Sequence, residues 1–393
     1  MRIAWVSNAP WIASGYGQQT AQVVERLAAA GHEPAVVANY GFYGGMNQWR
    51  GIPVFPAGYD NYSNDVVPSH AAQWLAGDWQ AEYPPGWVIT LFDVYCLKNP
   101  RFQRMNVASW VPVDHVPVPS DVVRWFTDNN AVPIAMSKFG LDQLGKAGLD
   151  SLYVPHGIDT AVFSPGDKAR ARDLLGLPDD AFIVTMNAAN KGSLDRKSFW
   201  PSFAAFSGFA ARHTDAVLFV HAEQHGLGGG VSLSELAMAA GIPSDRVVFI
   251  DQYAYRMGLR PEAMAEMYRA SDVLLAPSKG EGFGIPVVEA QACGTPVIVS
   301  AFSAQPELVG DGWLVDGELD FDTAQHAAWF RPSIGSIADA LEQSYAERGD
   351  PVKCREHAVA YDADRVFAEF WVPCLAALEA RTPTLDPISV GSM

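Results

Sequence analysis

The feature that most constrains the fold of this sequence is a series of short apolar runs that alternate with segments of helical spacing. The runs form two consecutive sets, separated by Ser-Pro-Gly-Asp at 164–167. Alternating strands and helices build parallel sheets covered by helices on both faces. The first set of strand candidates is 3–6, 35–38, 88–92, 109–113, 134–136 and 152–154. The second set is 182–185, 217–221, 247–250, 273–276 and 297–300, with helices expected at 199–212, 233–240, 261–270 and 286–293. The pattern predicts an α/β fold of two doubly wound, Rossmann-like domains facing a cleft.

Chain length supports two domains. The 393 residues exceed what one hydrophobic core usually holds, and about 150 residues per domain gives two or three. We predict a first domain at 1–160, a second at 161–361 and a terminal amphipathic helix at 362–381. The polar tail at 382–393 is expected to be mobile.

Composition and charge exclude several classes of protein. Hydrophobic residues make up 49% of the chain, which rules out global disorder, and the net charge of −17 disfavours binding to nucleic acid or anionic lipid through bulk charge. No stretch approaches the roughly 18 apolar residues of a membrane span, and the first apolar run is too short for a signal peptide. The four cysteines lack a CxxC pair, which disfavours a zinc site or a disulfide framework. We therefore expect a cytoplasmic protein without membrane insertion.

The motif that carries chemistry is the segment 278–290, SKGEGFGIPVVEA. Its glycines, Gly280, Gly282 and Gly284, stand at every second position between a predicted strand and a predicted helix, so the backbone can approach a ligand closely. The helix start directs free N–H groups and the positive end of its dipole at the same point, which suits a phosphate. Glu281 and Glu289 are poor phosphate ligands but good acceptors for sugar hydroxyls.

These residues resemble the signature of the retaining GT-B glycosyltransferases of family four. The resemblance continues in CGTPVI at 293–298, in VPHGID at 154–159 and in DVLLAPS at 272–278. It implies a GT-B fold with an acceptor-binding first domain and a nucleotide-sugar-binding second domain. It also implies that the terminal helix crosses back to the first domain, and that neither a metal nor a cofactor is required.

The resemblance assigns the donor-binding residues of the second domain. Glu289 would bind the ribose hydroxyls, and Glu281 would hold hydroxyls of the transferred sugar. The signature loop also contributes Gly282, Phe283, Gly284 and Ile285 to donor binding. Arg196 and Lys197 would grip the diphosphate, and Lys191 is a rival for that role, so the division of labour among the three cations stays open.

In the first domain, the Gly15 and Gly17 loop resembles the turn that faces the diphosphate and acceptor in this family. It is not an NAD fingerprint, because Thr20 stands where the third glycine should be. His115 follows a predicted strand and is chosen as a contact to the donor sugar, with Asp114 as the alternate; a packing role for this histidine is about as well supported. Asp320 and Asp322 lack supporting ligands for a metal site.

We therefore predict a retaining transferase that uses a nucleoside diphosphate sugar, with UDP-glucose as the default from family frequency. The acceptor stays open between a glycan, a small molecule, a protein hydroxyl and, least favoured, a hydroxylated base in DNA near the cluster Lys98, Arg101 and Arg104. Two alternatives are another GT-B enzyme, either a sugar-nucleotide epimerase or a phosphorylase, and a non-catalytic sugar-nucleotide-binding module. The donor base and the oligomeric state are likewise open.

Overall fold

The first domain is built on one eight-stranded sheet. The computed structural model describes residues 1–192 and 195–381. The strands of this sheet are β1 (Arg2–Asn8), β2 (Glu33–Tyr40), β3 (Asn47–Trp49), β4 (Ile52–Phe55), β5 (Trp87–Leu91), β6 (Val107–Val111), β7 (Val132–Ala135) and β8 (Leu152–Tyr153). Their order is β3-β4-β2-β1-β5-β6-β7-β8, and all pairs are parallel except β3 with β4. The helices are α1 (Gly15–Ala29), α2 (Val67–Ala76), α3 (Ser120–Asp128) and α4 (Lys138–Lys146), with 3₁₀ turns at Val94–Cys96 and Pro100–Arg104.

The second domain is built on a six-stranded parallel sheet. Its strands are β9 (Phe182–Asn187), β10 (Ala216–His221), β11 (Val247–Phe249), β12 (Val273–Ala276), β13 (Val297–Ser300) and β14 (Gly312–Val315), in the order β11-β10-β9-β12-β13-β14. Its helices are α5 (Lys168–Leu175), α6 (Phe199–Ala210), α7 (Leu233–Ala239), α8 (Gln252–Met257), α9 (Pro261–Ala270), α10 (Ile285–Ala292), α11 (Ile334–Glu347) and α12 (Pro351–Ala358). A separate hairpin pairs β15 (Gly317–Asp322) with β16 (Ala327–Pro332), and 3₁₀ turns lie at Pro306–Leu308 and Val359–Tyr361.

The strand predictions hold where the apolar runs are bounded by turn residues. β12, β13 and α9 have the predicted limits. The strand predicted at 109–113 instead ends at Val111, because Pro112 has no N–H to donate to a sheet. The sequence analysis did not identify the β15–β16 hairpin or several other elements, namely β3, β4, β14, α2, α3, α4, α5, α8, α11 and α12. The predicted α/β fold with two parallel sheets is confirmed.

The terminal segment is less regular than predicted. It consists of α13 (Ala363–Val366), a π-helical turn at Phe367–Trp371 and α14 (Val372–Arg381). The buried Trp371 ring lies 5.6 Å from Trp5 and 4.9 Å from Trp110, both in the first domain. The domain boundaries at 160 and 361 stay predictions, and the tail at 382–393 lies outside the described residues.

Buried apolar side chains of the two domains pack against each other. One cluster of buried apolar side chains includes Trp5 and Trp110 in the first domain and Phe283 in the second. The four cysteines are buried and free. Among residues 1–192 and 195–381, no helix has the length and apolar character to cross a membrane.

Candidate active site

The glycine loop of residues 280–284 lies where the two domains meet. It joins β12 to α10, and Gly284 adopts a φ of +116°, in the left-handed region that favours glycine. A Cβ atom on Gly280 would lie 2.5 Å from the backbone oxygen of Asp114, and one on Gly282 would lie 2.5 Å from Cβ of Pro112. These two glycines were expected to let the backbone approach a ligand, and here they also allow close contact with the first domain.

Glu281 is held by two cations. Its carboxylate contacts Lys197 Nζ, lies 3.2 Å from Arg196 Nη1, and accepts a hydrogen bond from Ser278 Oγ at 2.6 Å. The backbone N–H of Glu281 donates to Ser303 Oγ at 2.9 Å. Burial raises the pKa of Glu281, but Lys197 and Arg196 outweigh that effect and lower the pKa to about 2. Glu281 is therefore an ionised acceptor fixed between two donors.

Arg196 connects the two domains electrostatically. Its Nη1 donates to the backbone oxygen of Gly280 at 2.5 Å, and its charge interacts with Asp114 and Asp93 of the first domain. Asp195, the preceding residue, accepts hydrogen bonds from the first N–H groups of α6 at 2.8 and 2.9 Å. Burial and the neighbouring Arg196 lower the pKa of Lys197. A cation pair thus stands at the domain boundary on a capped helix start.

Lys191 lies near the cation pair of Arg196 and Lys197. It is exposed, and its backbone pairs with Gly229 in a glycine-rich loop. It lines a cavity of about 10 Å³ together with Arg196 and Lys197. The structure thus brings Arg196 and Lys197 to Glu281, and which of the three cations holds which phosphate stays a prediction.

Glu289 is the end of a polar chain that sequence analysis did not find. The residue is only 2% exposed, and its Oε2 accepts a hydrogen bond from the Tyr268 hydroxyl at 2.7 Å. Asn187 Nδ2 donates to that hydroxyl at 2.7 Å, and Nδ1 of His221 lies 2.8 Å from Asn187 Oδ1. Burial raises the pKa of Glu289 to about 7, although the Tyr268 hydrogen bond opposes the rise. Asn187 and His221 end the neighbouring strands β9 and β10, which is the signal that could have found them.

The first-domain glycine loop faces the start of α10. A Cβ atom on Gly15 would lie 3.2 Å from Ile285 Cδ1, so the two loops are adjacent. Gly17 serves a local purpose, because its N–H donates to the capping residue Ser14 and a Cβ there would meet the backbone of residue 12. Phe283 packs edge-on against His156 at 5.1 Å. In this structure the Phe283 ring therefore lies in packing contacts at the domain boundary.

His115 contacts the second domain rather than open space. Its Nδ1 lies 2.7 Å from Asp114 Oδ1, its Nε2 lies 3.3 Å from Asp322 Oδ2, and its ring stacks on Trp329 with centroids 5.5 Å apart. Burial lowers the pKa of His115, but both carboxylates outweigh that effect and raise it above the ordinary value. Asp322, which was given no role from sequence, is therefore part of the site region. The predicted contact of His115 with the donor sugar stays a prediction.

Asp93 and Tyr16 are first-domain groups at this boundary that the sequence analysis missed. Asp93 follows β5 by two residues, and carboxyl ends of parallel strands collect functional groups. Burial, with the charge of Asp114, raises the pKa of Asp93 to about 6. Burial, with the charge of Asp93, raises the pKa of Tyr16 well above its ordinary value. In the part of the chain that the structure covers, no group of three or more His, Cys, Asp or Glu side chains is arranged to hold a metal.

Comparison with known proteins agrees with the resemblance read from the motif. Residues 249–358 match the family described as Glycosyl transferases group 1. A D-inositol 3-phosphate glycosyltransferase of Acidothermus cellulolyticus is 34% identical over 201 residues, 50% of this chain and 42% of that protein. One of Mycolicibacterium smegmatis is 32% identical over 238 residues, 55% of this chain and 52% of that protein. The chain thus spans about half the length of the curated relatives it matches.

Solved structures share the whole architecture. Sucrose-phosphate synthase from Thermosynechococcus elongatus superposes with a TM-score of 0.71 at 20% identity, covering 97% of this chain and 98% of that one. Anabaena HepE, solved in complex with UDP-glucose, superposes with a TM-score of 0.67 at 14% identity, covering 96% of this chain and 100% of that one. At these identities the likeness concerns the fold, and it confirms the predicted GT-B architecture.

Proposed function

We propose that this chain, whose residues 249–358 match the family of group 1 glycosyl transferases, moves a sugar from a nucleoside diphosphate sugar to a hydroxyl group with retention of configuration. The observation that carries the proposal is the partly buried Glu281 carboxylate held between Arg196 and Lys197 at the glycine loop, where that loop meets the first domain. The arrangement places two fixed positive charges in contact with a carboxylate that can accept hydrogen bonds from sugar hydroxyls.

The proposed chemistry depends on stabilising the leaving diphosphate. Breaking the donor bond loads negative charge onto the diphosphate, and preorganised cations stabilise that charge without reorganising during the reaction. Arg196 and Lys197 supply this charge in our proposal, together with the N–H groups at the start of α10. Glu281 keeps both cations in place and accepts hydrogen bonds from hydroxyls of the transferred sugar.

Retention follows, in this proposal, from attack on the same face that the diphosphate leaves. A diphosphate oxygen accepts the proton of the attacking hydroxyl, so charge builds on the atoms that Arg196 and Lys197 bind. Glu289 holds the ribose hydroxyls, which fixes the donor against the glycine loop. Closure of the two domains excludes water that would otherwise hydrolyse the donor.

For the acceptor we infer a small polyhydroxylated molecule, the class to which the inositol phosphate in the relatives' names belongs. The first-domain basic cluster does not favour nucleic acid. Arg101 donates to Ser69 Oγ and to the backbone oxygens of residues 79 and 81, and Arg104 forms an ion pair with Glu82. Two of its three cations therefore already have protein partners.

The test combines a panel of nucleotide sugars, with UDP-glucose first, and a panel of acceptors that includes inositol, inositol 3-phosphate and short glycans. Mass spectrometry should show an acceptor heavier by one sugar residue, and NMR of the product should show the donor's anomeric configuration. An altered sugar nucleotide without acceptor would indicate an epimerase, and turnover requiring inorganic phosphate and a glucan would indicate a phosphorylase. Binding of every donor without turnover of any would favour a non-catalytic module. Any of these results overturns the proposal.

A further inference from the structure

The hairpin β15–β16 ties the two domains together beside the site. It belongs to neither main sheet. The N–H of Val116 in the first domain donates to the oxygen of Ala328 at 2.8 Å, and the N–H of Ala328 donates back at 2.9 Å. On the second-domain side, the N–H of Phe330 donates to the oxygen of Lys279 at 2.8 Å, next to the glycine loop. The hairpin therefore connects the loop that bears His115 with the loop that bears Glu281.

Both ring nitrogens of His115 face carboxylates. Asp114 lies on one side at 2.7 Å and Asp322 on the other at 3.3 Å, while Trp329 covers one ring face. A carboxylate accepts hydrogen bonds, so both contacts are satisfied together when both nitrogens carry protons. The side chains of His115 and Asp322 are 6% and 5% exposed. Water therefore does not replace the Asp322 contact readily.

The charged groups around His115 belong to both domains. Asp114 and Asp93 approach from the first domain and Asp322 from the hairpin. Arg196 interacts with Asp114, and Lys279 lies over the Trp329 ring at 4.8 Å. The three carboxylates favour a charged imidazole, and the two cations oppose it.

The orientation of His115 affects Arg196 through Asp114, which lies between them. Asp114 is bound to the His115 ring, its backbone oxygen limits the approach of Gly280, and its charge interacts with Arg196 and Glu281. A loss of the hairpin contact would therefore loosen Asp114 at the point where the two domains touch.

We propose that Asp322 is a positioning residue: from the hairpin of the second domain it holds the His115 imidazole of the first, and through His115 it sets Asp114 beside Arg196 when the domains close on the donor. This inference rests on the proposed function. It gives His115 the role of an interdomain link, distinct from a contact with the transferred sugar.

The test is Asp322→Asn in the full chain, assayed for sugar transfer between about pH 6 and about pH 8, the range in which histidines titrate. An asparagine cannot supply the charge that keeps His115 protonated, so the loss of kcat/KM should grow with pH. We expect the loss of kcat/KM to be several-fold greater at pH 8 than at pH 6, because His115 loses its proton at lower pH in the variant than in the wild type. Imidazole NMR should show His115 titrating at lower pH in the variant than in the wild type.

The matched control is Glu318→Gln, which removes a carboxylate from the same hairpin. Glu318 is 74% exposed and pairs with Arg331 at 3.3 Å, so its loss should leave both the pH profile and the His115 titration unchanged. A wild-type enzyme that transfers sugar while Asp322→Asn keeps its pH profile would overturn the positioning role. If the variant does not fold, a wild-type His115 that titrates at or below the ordinary histidine pKa overturns it equally. A wild-type chain that transfers no sugar contradicts the proposed function instead.

Discussion

Glu281 and Glu289 are eight residues apart in one motif, yet their surroundings shift their acidities in opposite directions. Lys197 and Arg196 outweigh the effect of burial and hold the pKa of Glu281 at about 2. Burial raises the pKa of Glu289 to about 7, although the hydrogen bond from the Tyr268 hydroxyl opposes this rise. Glu281 is therefore charged at all relevant pH values, while Glu289 titrates near neutrality. The two acids of the motif should respond differently to pH.

Removal of one cation from Glu281 should slow the reaction strongly. Because one preorganised donor to a leaving group contributes about 3 kcal/mol, Lys197→Ala should lower kcat about a hundredfold or more. The measurement is turnover at saturating nucleotide sugar. Lys168→Ala is the matched control, since Lys168 forms a half-exposed ion pair with Asp272 away from the glycine loop. Equal turnover in the two variants would contradict the role given to Lys197.

Removal of the Tyr268 hydroxyl should move the pH dependence of donor binding. The hydrogen bond from Tyr268 lowers the pKa of Glu289, so Tyr268→Phe should raise that pKa further above about 7. Glu289 accepts ribose hydroxyls best when ionised, so the donor KM should rise as pH falls and should do so at higher pH in the variant. Donor KM measured against pH gives the answer, with Tyr345→Phe as control because its hydroxyl binds the remote Asp215 at 3.0 Å. If the donor KM rises over the same acidic pH range in Tyr268→Phe and Tyr345→Phe, Tyr268 does not have this role.

At the scale of elements, the glycine loop depends on the absence of side chains at Gly280 and Gly282. Side chains at Gly280 and Gly282 would meet Asp114 and Pro112 of the first domain, so the alternating glycines set how closely the loop and that domain approach. The loop sits between β12 and α10, most of whose residues are buried. Its fit to the first domain is therefore sensitive to a single methyl group.

Gly280→Ala should impair activity without unfolding the chain. The added Cβ would lie 2.5 Å from the backbone oxygen of Asp114, which cannot move aside as a flexible side chain could. We expect kcat/KM to fall while the circular dichroism spectrum is kept. Gly145→Ala is the control, because nothing lies within 4 Å of a Cβ there, and alanine in α4 should stabilise the helix by up to about 1 kcal/mol. Wild-type activity in Gly280→Ala would show that the loop has more room than the structure gives it.

At the scale of the whole molecule, contacts between residues far apart in sequence fix the end of the first domain and the terminal segment against the body of the first domain. The side chain of Gln19 donates to the oxygen of Gly157 at 2.7 Å and accepts from its N–H at 3.3 Å. Trp371 of the terminal segment packs on Trp5 and Trp110. These contacts lie on the side of the first sheet that also adjoins the second domain, so the terminal segment belongs to the shared core.

Trp371→Ala should destabilise the chain more than any exposed substitution beside it. Trp371 is 1% exposed, and truncation of a buried tryptophan costs about 3–5 kcal/mol in free energy of unfolding. Denaturant titration followed by tryptophan fluorescence and circular dichroism measures the loss. Val372→Ala, at a position 49% exposed, should change the free energy of unfolding by less than about 1 kcal/mol. Comparable losses in the two variants would be inconsistent with packing of Trp371 on the first domain.

The sequence by itself determined the alternating strands and helices and the strand–loop–helix motif at 273–293, because local periodicity, turn residues and a recognisable motif encode them. The contact of Glu281 with Arg196 and Lys197 joins residues more than 80 positions apart, so only the tertiary structure shows it. The tertiary structure alone decided the partners of Glu289, the proximity of Asp93 to Arg196, and the contact of His115 with Asp322, 207 residues away in the chain. Hydrophobic spacing reports which face of an element is buried, but it contains no information on which buried faces meet. Those partners exist because the two sheets and the hairpin pack together, and the pKa values that matter for the site are set by that packing.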